Sequence, residues 1–217
     1  MAVTYQSQAS ATPSSGTSIT VAKPAGTVEG DVLVALMVAI TSSSSGDISA
    51  PAGWLSAGSG AVAAPPGFTG RGLCAYRVTG ASEPANYTFT RGDAISAAAG
   101  VILRYAPQAP TAPPGVVDAV GMSGQVTPGV APSVDAAGNA DTLITWHISR
   151  TTEGATPTGM TQRALISLTD IKLGCYDELL SSPGATGTRT WTGSSNARSW
   201  SILLFAEQAG SRIRMMV

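Results

Sequence analysis

The sequence predicts an all-β protein, folded as a jelly-roll-like β-sandwich with an internal pseudo-twofold repeat. Three observations lead to this prediction. Short runs of β-favouring residues alternate with Gly, Pro, Asn and Ser. No segment shows a sustained helical period between good caps. Many residues of the first half recur in the second half at a nearly constant spacing, which indicates a duplicated structural unit.

The first half contains strand-like runs bounded by turn residues. We predict strands at Val3–Ser7, Ser18–Val21, Val32–Ile40, Gly72–Val78, Asn86–Thr90 and Ala98–Tyr105. Segment 94–100 is rich in Ala, but it is too short to form a helix alone and leads directly into a strand.

The second half contains a comparable series of runs. We predict strands at Val116–Met122, Leu143–Ile148, Thr161–Leu165, Leu173–Glu178, Thr188–Thr192 and Trp200–Ala206. Either half alone would leave a small domain with open sheet edges, so we expect the halves to pack face to face. Two tandem immunoglobulin-like domains are the alternative.

The repeat has three offsets along the chain. The offset is 110 between Asp31 and Asp141 and 106 between Pro51 and Pro157, so the loops of the second half are shorter. Each Asp precedes an apolar strand, where its side chain is expected to accept hydrogen bonds from backbone amides two residues further along the chain and so end a turn. At an offset of 100 the matching pairs are Leu73 and Leu173, Tyr76 and Tyr176, Ser82 and Ser182, Thr88 and Thr188, Thr90 and Thr190, Ile102 and Ile202, and Leu103 and Leu203.

We predict one domain over residues 1–209, with repeat halves at about 1–106 and 116–209. The crossover 106–116 contains four prolines and cannot join a central ladder, because proline lacks the backbone donor. Residues 210–217 form a tail of different character. We predict that this tail docks against a neighbouring subunit, with a frayed terminus as the alternative. Its docking residues are Arg212, Ile213, Arg214, Met215, Met216 and Val217.

The composition argues against several partners. Only 12% of residues are charged and the net charge is −1, so no basic stripe is expected to bind nucleic acid. The longest apolar run, 32–40, has the length of a strand, and we expect no membrane partner. The amino terminus lacks the pattern of a secretory signal, so we expect synthesis in the cytoplasm.

The residues that usually carry catalysis are scarce. The single histidine, His147, lies in a predicted strand, and no G-x-S-x-G elbow occurs, so we expect no enzyme and no cofactor. Cys74 and Cys175 are too few for a zinc site. We interpret them as buried free thiols of opposite strand parity, with a disulfide as the alternative. A loop calcium site at Asp177 and Glu178 is a further alternative.

Two short features have structural and functional interpretations. Arg91-Gly92-Asp93 spells an integrin-binding tripeptide, although a turn explains it more simply. The tryptophans are interpreted as core or interface aromatics. In a carbohydrate-binding protein, exposed Trp54 and Trp191 would instead stack on sugar rings.

Several motifs resemble a known family. These are Lys23-Pro-Ala-Gly-Thr-Val-Glu-Gly-Asp31-Val-Leu-Val, Pro51-Ala-Gly-Trp54, the stretch 76–90 that begins Tyr-Arg-Val-Thr-Gly, and Gly100-Val-Ile-Leu. The chain resembles, from about Val3 to Glu207, the sandwich domains of minor tail and fibre-like proteins of tailed phages, particularly those that infect actinobacteria. The tail 210–217 lies outside the shared pattern.

This resemblance implies a virion structural protein without cofactor or catalytic residues. The expected partners are other virion proteins and copies of the same chain. A minor tail or tail-tip position is the first expectation, and decoration of the capsid exterior is the second. A module that binds cell-wall glycan of the host is an alternative from another class.

Overall fold

The protein is an antiparallel β-structure throughout the part of the chain that is described. A computed structural model describes residues 3–42, 46–107, 114–122, 126–136, 138, 141–193 and 197–206. Its strands are β1 (Val3–Ala11), β2 (Ser18–Ala22), β3 (Val32–Thr41), β4 (Leu55–Val62), β5 (Thr69–Val78), β6 (Asn86–Thr90), β7 (Ile95–Pro107), β8 (Pro114–Met122), β9 (Gly129–Ala131), β10 (Asp135–Ala136), β11 (Thr142–Ser149), β12 (Thr161–Ser167), β13 (Lys172–Leu179), β14 (Gly184–Ala185), β15 (Arg189–Trp191) and β16 (Arg198–Ala206).

Two five-stranded sheets form the body of the protein. The first sheet has the order β1-β7-β3-β5-β4, and the second has the order β8-β16-β11-β13-β12. When the two orders are aligned, β1 corresponds to β8, β7 to β16, β3 to β11, β5 to β13 and β4 to β12. The all-β prediction is therefore confirmed. Because each large sheet is drawn from one half of the chain, the strand order does not establish the jelly-roll connectivity.

One hydrophobic core lies between the two sheets, and we call it the shared core. It includes Val34, Leu36 and Leu103 of the first sheet with Trp146 and Trp200 of the second. The two indole rings stack with centroids 4.0 Å apart. Gly72 of β5 lets the Trp200 ring lie close to the first sheet, because a Cβ at this position would be 3.2 Å from that ring. The two halves thus pack against each other through apolar side chains.

Smaller ladders cover the outer faces of both sheets. The pair β2–β6 covers the first sheet, where Ile19 and Phe89 contact Leu33, Met37 and their neighbours. A second outer cluster joins Leu143 and Leu203 of the second sheet to Trp191 of β15. All ten residues of β3 and all eight of β11 are buried as a result.

Most predicted strands are confirmed, with ends that move by a few residues. The strand β4 was missed because its sequence, Leu-Ser-Ala-Gly-Ser-Gly-Ala-Val, is composed mainly of small residues with weak strand preference. The repeat itself indicated a strand here, because β12, the counterpart of β4 in the second half, was predicted. Segment 108–113 of the crossover lies outside the described residues.

The turns that enter β4 and β12 are equivalent. The Trp54 amide donates to the Pro51 carbonyl, and the Met160 amide donates to the Pro157 carbonyl. Gly53 and Gly159 occupy the same place in these turns, with φ of 82° and 83°. Only glycine adopts this conformation without strain, which explains why the Pro-x-Gly pattern recurs.

The Asp residues before β3 and β11 also have the same role. Oδ2 of Asp31 accepts a hydrogen bond from the Val28 amide, and Oδ2 of Asp141 accepts one from the Gly138 amide. In both bonds the donor amide lies three residues before the Asp, rather than two residues after it as expected. The interpretation of these carboxylates as turn formers is confirmed, with the direction corrected.

The predicted repeat offset of 100 positions is wrong by one residue for two pairs of strands. Val32 pairs with Val78 and Tyr105, while Thr142 pairs with Leu179 and Leu204. If Val32 and Thr142 are equivalent, as the Asp turns require, the offset is 101 for β5 and β13, and 99 for β7 and β16. A slip of one residue turns a side chain to the other face of the sheet. Leu103 accordingly faces the shared core, whereas Leu203 faces the outer cluster.

The same correction applies to the cysteines. Cys74 pairs with Leu36, and Cys175 pairs with Trp146, so the two occupy equivalent positions. Both face the shared core, and the predicted opposite parity is wrong. Both thiols are free and buried, which confirms the interpretation as unpaired cysteines. Burial raises the pKa of each thiol.

We expect Gly53→Ala and Gly159→Ala each to lower the free energy of unfolding by about 1–2 kcal/mol, because a Cβ strains a backbone with positive φ. Urea unfolding measures the change. Gly80→Ala is the matched control, since Gly80 is exposed and a Cβ there would have its nearest neighbour 3.9 Å away. Gly53 and Gly159 variants as stable as the Gly80 variant would contradict the predicted strain, and a loss at only one of the two positions would contradict the equivalence of the turns.

Candidate functional site

A buried polar cluster joins the two sheets at one end of the sandwich. The Tyr105 hydroxyl of the first sheet donates to Oδ2 of Asp177 in the second, at 3.0 Å. Nε of Arg163 donates to Oδ1 of the same carboxylate, at 2.7 Å. The guanidinium of Arg163 also lies 4.4 Å from the ring centroid of Tyr5, which is within the range of a cation–π contact. Four side chains from four strands therefore form one contact between the halves.

The electrostatics of this cluster are those of a buried ion pair. Burial raises the pKa of Asp177, and the favourable contacts with Arg163 and Tyr105 offset only part of that effect. Burial and the nearby Asp177 carboxylate also raise the pKa of Tyr105. Tyr105 therefore stays protonated and acts as a hydrogen-bond donor. Its position favours a structural role, because its hydroxyl is directed at a carboxylate of the opposite sheet.

We expect Tyr105→Phe to lower the free energy of unfolding by about 1.5–3 kcal/mol, because it removes a hydrogen bond to a buried carboxylate. Chemical denaturation measures this loss. The matched control is Tyr76→Phe, since Tyr76 occupies the position equivalent to Asp177 and is only half-buried. We expect the control to change stability by less than about 0.5 kcal/mol. A loss of the same size in both variants would contradict the proposed inter-sheet contact.

His147 lies in a closed environment within the second sheet. Its side chain is fully buried, and Nδ1 lies 2.7 Å from the Ser199 hydroxyl. The rings of Tyr176 and Trp191 lie 5.8 Å and 5.6 Å from the imidazole centroid. Burial lowers the pKa of His147 to about 3, so the imidazole is neutral at physiological pH.

This burial predicts a pH dependence of stability. Below pH 6.5 the unfolded chain binds a proton at His147, whereas the folded protein does not bind it until the pH falls to about 3. Stability is therefore lost as the pH falls across this window, by about 1.4 kcal/mol per pH unit. Asp177 acts in the opposite direction, since its raised pKa favours proton uptake by the folded state.

His147→Asn tests this assignment, because an amide retains a group that can bond to Ser199 but does not titrate. Denaturation between pH 6.5 and 5.5 is the measurement, since ordinary carboxyl groups remain ionised there. The variant is expected to lose the slope attributed to His147, whatever its stability at pH 7. The chain contains one histidine, so an unchanged slope would refute the assignment.

The structure corrects the prediction for the two candidate glycan-binding tryptophans. Trp54 is 8% exposed and packs edge-on against Tyr87 and Phe89. Trp191 is fully buried, and Gly154 lies so close that a Cβ there would be 2.4 Å from the indole. Neither ring presents a face to a sugar. Both residues are core aromatics, because the outer ladders cover them.

Other candidate residues have structural partners. Arg91 is buried and donates to the Ala39 and Thr69 carbonyls, which places the Arg-Gly-Asp sequence in a packed turn. Asp177 and Glu178 form ion pairs with Arg163 and Arg189 respectively. Among the described residues, no group of three or more His, Cys, Asp or Glu side chains is placed to hold a metal ion. The tail residues Arg212 to Val217 lie outside this set.

A shallow groove of about 290 Å³ lies along the hairpin of β4 and β5. Its lining includes Ala61, Val62, Ala64, Phe68 and Arg71. Arg71 is paired with Asp47, at 3.3 Å. The lining mixes polar and apolar groups, and its one charged side chain is already paired, so the groove is a weak candidate for a small-molecule site.

An exposed apolar surface lies at the end of the sandwich that contains the polar cluster. We define the apolar end surface as Val28, Leu55, Val78 and Leu179, whose side chains are 59%, 59%, 39% and 57% exposed. The other large hydrophobic side chains with comparable exposure among the described residues are Phe68 and Val126. The apolar end surface is the strongest candidate for a contact site, because grouped exposed hydrophobic residues typically mark interaction surfaces.

Strand register places these residues at the same end of the sandwich. Val78 of β5 pairs with Val32 of β3, which also pairs with Tyr105 of β7. Leu55 of β4 pairs with Tyr76, which lies two residues before Val78 on β5. The Val28 carbonyl accepts a hydrogen bond from Thr79, directly after Val78. On the second sheet, Leu179 follows Asp177 by two residues. The contact of Tyr105 with Asp177 shows that these strand ends lie at the same end of the sandwich.

Comparison with known proteins adds no relative. No protein-family model matches the chain, and no curated protein or solved structure matches it either. Within the described residues, no helix is both long enough and apolar enough to cross a membrane.

Proposed function

We propose that this protein is a structural subunit of a tailed-phage virion, positioned in the minor tail or tail tip, with a non-enzymatic role. The single observation that carries the proposal is the apolar end surface on a body whose central strands are covered on both faces. Such a body resists deformation, because its interior is closely packed, and it presents one end for contact. The resemblance of the motifs at 23–34 and 51–54 to phage tail proteins supports the same role.

The proposed partners are other virion proteins and copies of the same chain. The first half of the chain contributes three of the four residues of the apolar end surface, Leu55 and Val78 from the first sheet and Val28 from the loop before β3. A small apolar contact repeated between identical subunits gains strength through multivalency, without a single strong site. The proposed location is the exterior of the particle, after synthesis in the host cytoplasm.

Decoration of the capsid is the second candidate, and it draws on the same observation. A decoration protein also needs a rigid body with one contact surface. The glycan-binding alternative has lost its supporting feature, because Trp54 and Trp191 are buried.

Immunogold electron microscopy of intact particles tests the proposal and separates the two positions. We expect an antibody against this chain to label the tail tip. Label over the shell would instead identify a capsid decoration protein. Particles without label, under conditions where the antibody recognises the purified protein, would overturn the virion role. Antibody preincubated with purified protein is the control for specific labelling.

A further inference from the structure

We propose that the apolar end surface is the docking site for residues 207–217 of this same chain. The inference rests on the proposed function only in treating this surface as a contact site, and it names what lies there. It follows from the place where the described chain ends, from the length of the remaining segment and from the chemistry of that segment.

The last strand delivers the chain to this end of the sandwich. In β16, Leu204 pairs with Thr142, the first residue of β11. Thr142 also pairs with Leu179, a member of the apolar end surface. The Thr142 hydroxyl donates to the Val3 carbonyl of the first sheet, so the same end of both sheets is involved. The strand ends at Ala206, and residues 207–217 therefore begin beside the surface.

The remaining segment is long enough to cover the surface. Eleven residues follow Ala206. Fully extended, they would reach about 36 Å, at roughly 3.3 Å per residue. Five strands spaced by about 4.8 Å span roughly 20 Å between the outer strand axes. The segment can cross this end of a sheet with several residues to spare.

The segment also matches the surface chemically. In an extended conformation Ile213, Met215 and Val217 point to one side, and Arg212 and Arg214 point to the other. One apolar side would face Leu55 and Val78, while the arginines would remain near solvent. Methionine suits such a contact because its flexible thioether adapts to an irregular surface. Glu29, exposed beside Val28, complements the two arginines, whereas Glu178 beside Leu179 is already paired with Arg189.

The methionines provide a test on the full chain. Hydrogen peroxide oxidises accessible methionine to the sulfoxide, and peptide mass spectrometry measures the rate at each position. We expect Met215 to react at least about 5-fold more slowly than the same residue in a synthetic peptide of residues 207–217, because docking limits access, whereas Met216, which alternates to the side of the arginines, should react closer to the peptide rate. Met37, which is fully buried, is the internal reference for a protected thioether.

Two variants locate the docking surface. Leu55→Ser with Val78→Ser is expected to raise the oxidation rate of Met215 to that of the free peptide. Phe68→Ser with Val126→Ser is the matched control, because these residues are 39% and 40% exposed but lie outside the apolar end surface. We expect no change in the control. A Met215 that reacts at the peptide rate in the wild-type protein would overturn the proposal, as would equal Met215 rates in both variants.

A competition experiment avoids any change to the surface. Excess synthetic peptide, with norleucine in place of both methionines, should displace the tail of the wild-type protein and accelerate oxidation of Met215. No acceleration would count against the proposal. Protection that is independent of protein concentration would place the tail on its own subunit, as proposed. Protection that increases with concentration would place it on a neighbouring copy and would overturn the proposal.

The outcome is separable from that of the proposed function. Labelled particles combined with an unprotected tail would retain the virion role and refute the docking. A protected tail combined with unlabelled particles would do the reverse.

Discussion

The central strands β3 and β11 have no face that can meet water, and the rest of the architecture follows from that constraint. Every residue of both strands is buried. A sheet with such a strand at its centre must be covered on both sides, since exposure of either face would leave a large apolar area in water. The opposite sheet covers the inner face. The small ladders β2–β6 and β9–β15 lie over the outer faces, where Phe89 and Trp191 fill the remaining space.

The two edges of the sandwich are built differently although their strands are equivalent. Register places Asp177 of β13 opposite Thr161 and Tyr76 of β5 opposite Leu55, at corresponding positions. Asp177 accepts hydrogen bonds from Tyr105 of the opposite sheet and from Arg163 of its own sheet, whereas Tyr76 packs against the shared core and lies beside exposed Leu55. One half thus contributes a polar contact that fixes the sheets together, and the other contributes most of the apolar end surface. This difference makes the body directional, which is compatible with the proposed contact at one end.

Much of the fold could be predicted from the sequence because strand signals and turn signals are local. The apolar run at 32–40 and the Pro-x-Gly turns at 51 and 157 required no knowledge of distant contacts. The candidate site was less accessible. The predicted site residues Trp54 and Trp191 are buried, and the exposed Leu55 belongs to a strand that composition alone missed. Exposure depends on what other segments cover, and single-residue chemistry does not contain that information.

The sequence by itself determined that the chain is all-β and that the Pro-x-Gly pattern ending at Gly53 recurs at Gly159, and it favoured free cysteines over a disulfide. These follow from backbone preferences and side-chain chemistry, which act over a few residues. Only the tertiary structure decided the strand register, which corrected the offset of 100 and turned Cys74 and Cys175 toward the same core. It also brought Tyr105 to Asp177, and Val28, Leu55, Val78 and Leu179 to one end. The physical reason is that a shift of one residue along a strand leaves local preferences almost unchanged, while it reverses the face on which every side chain packs.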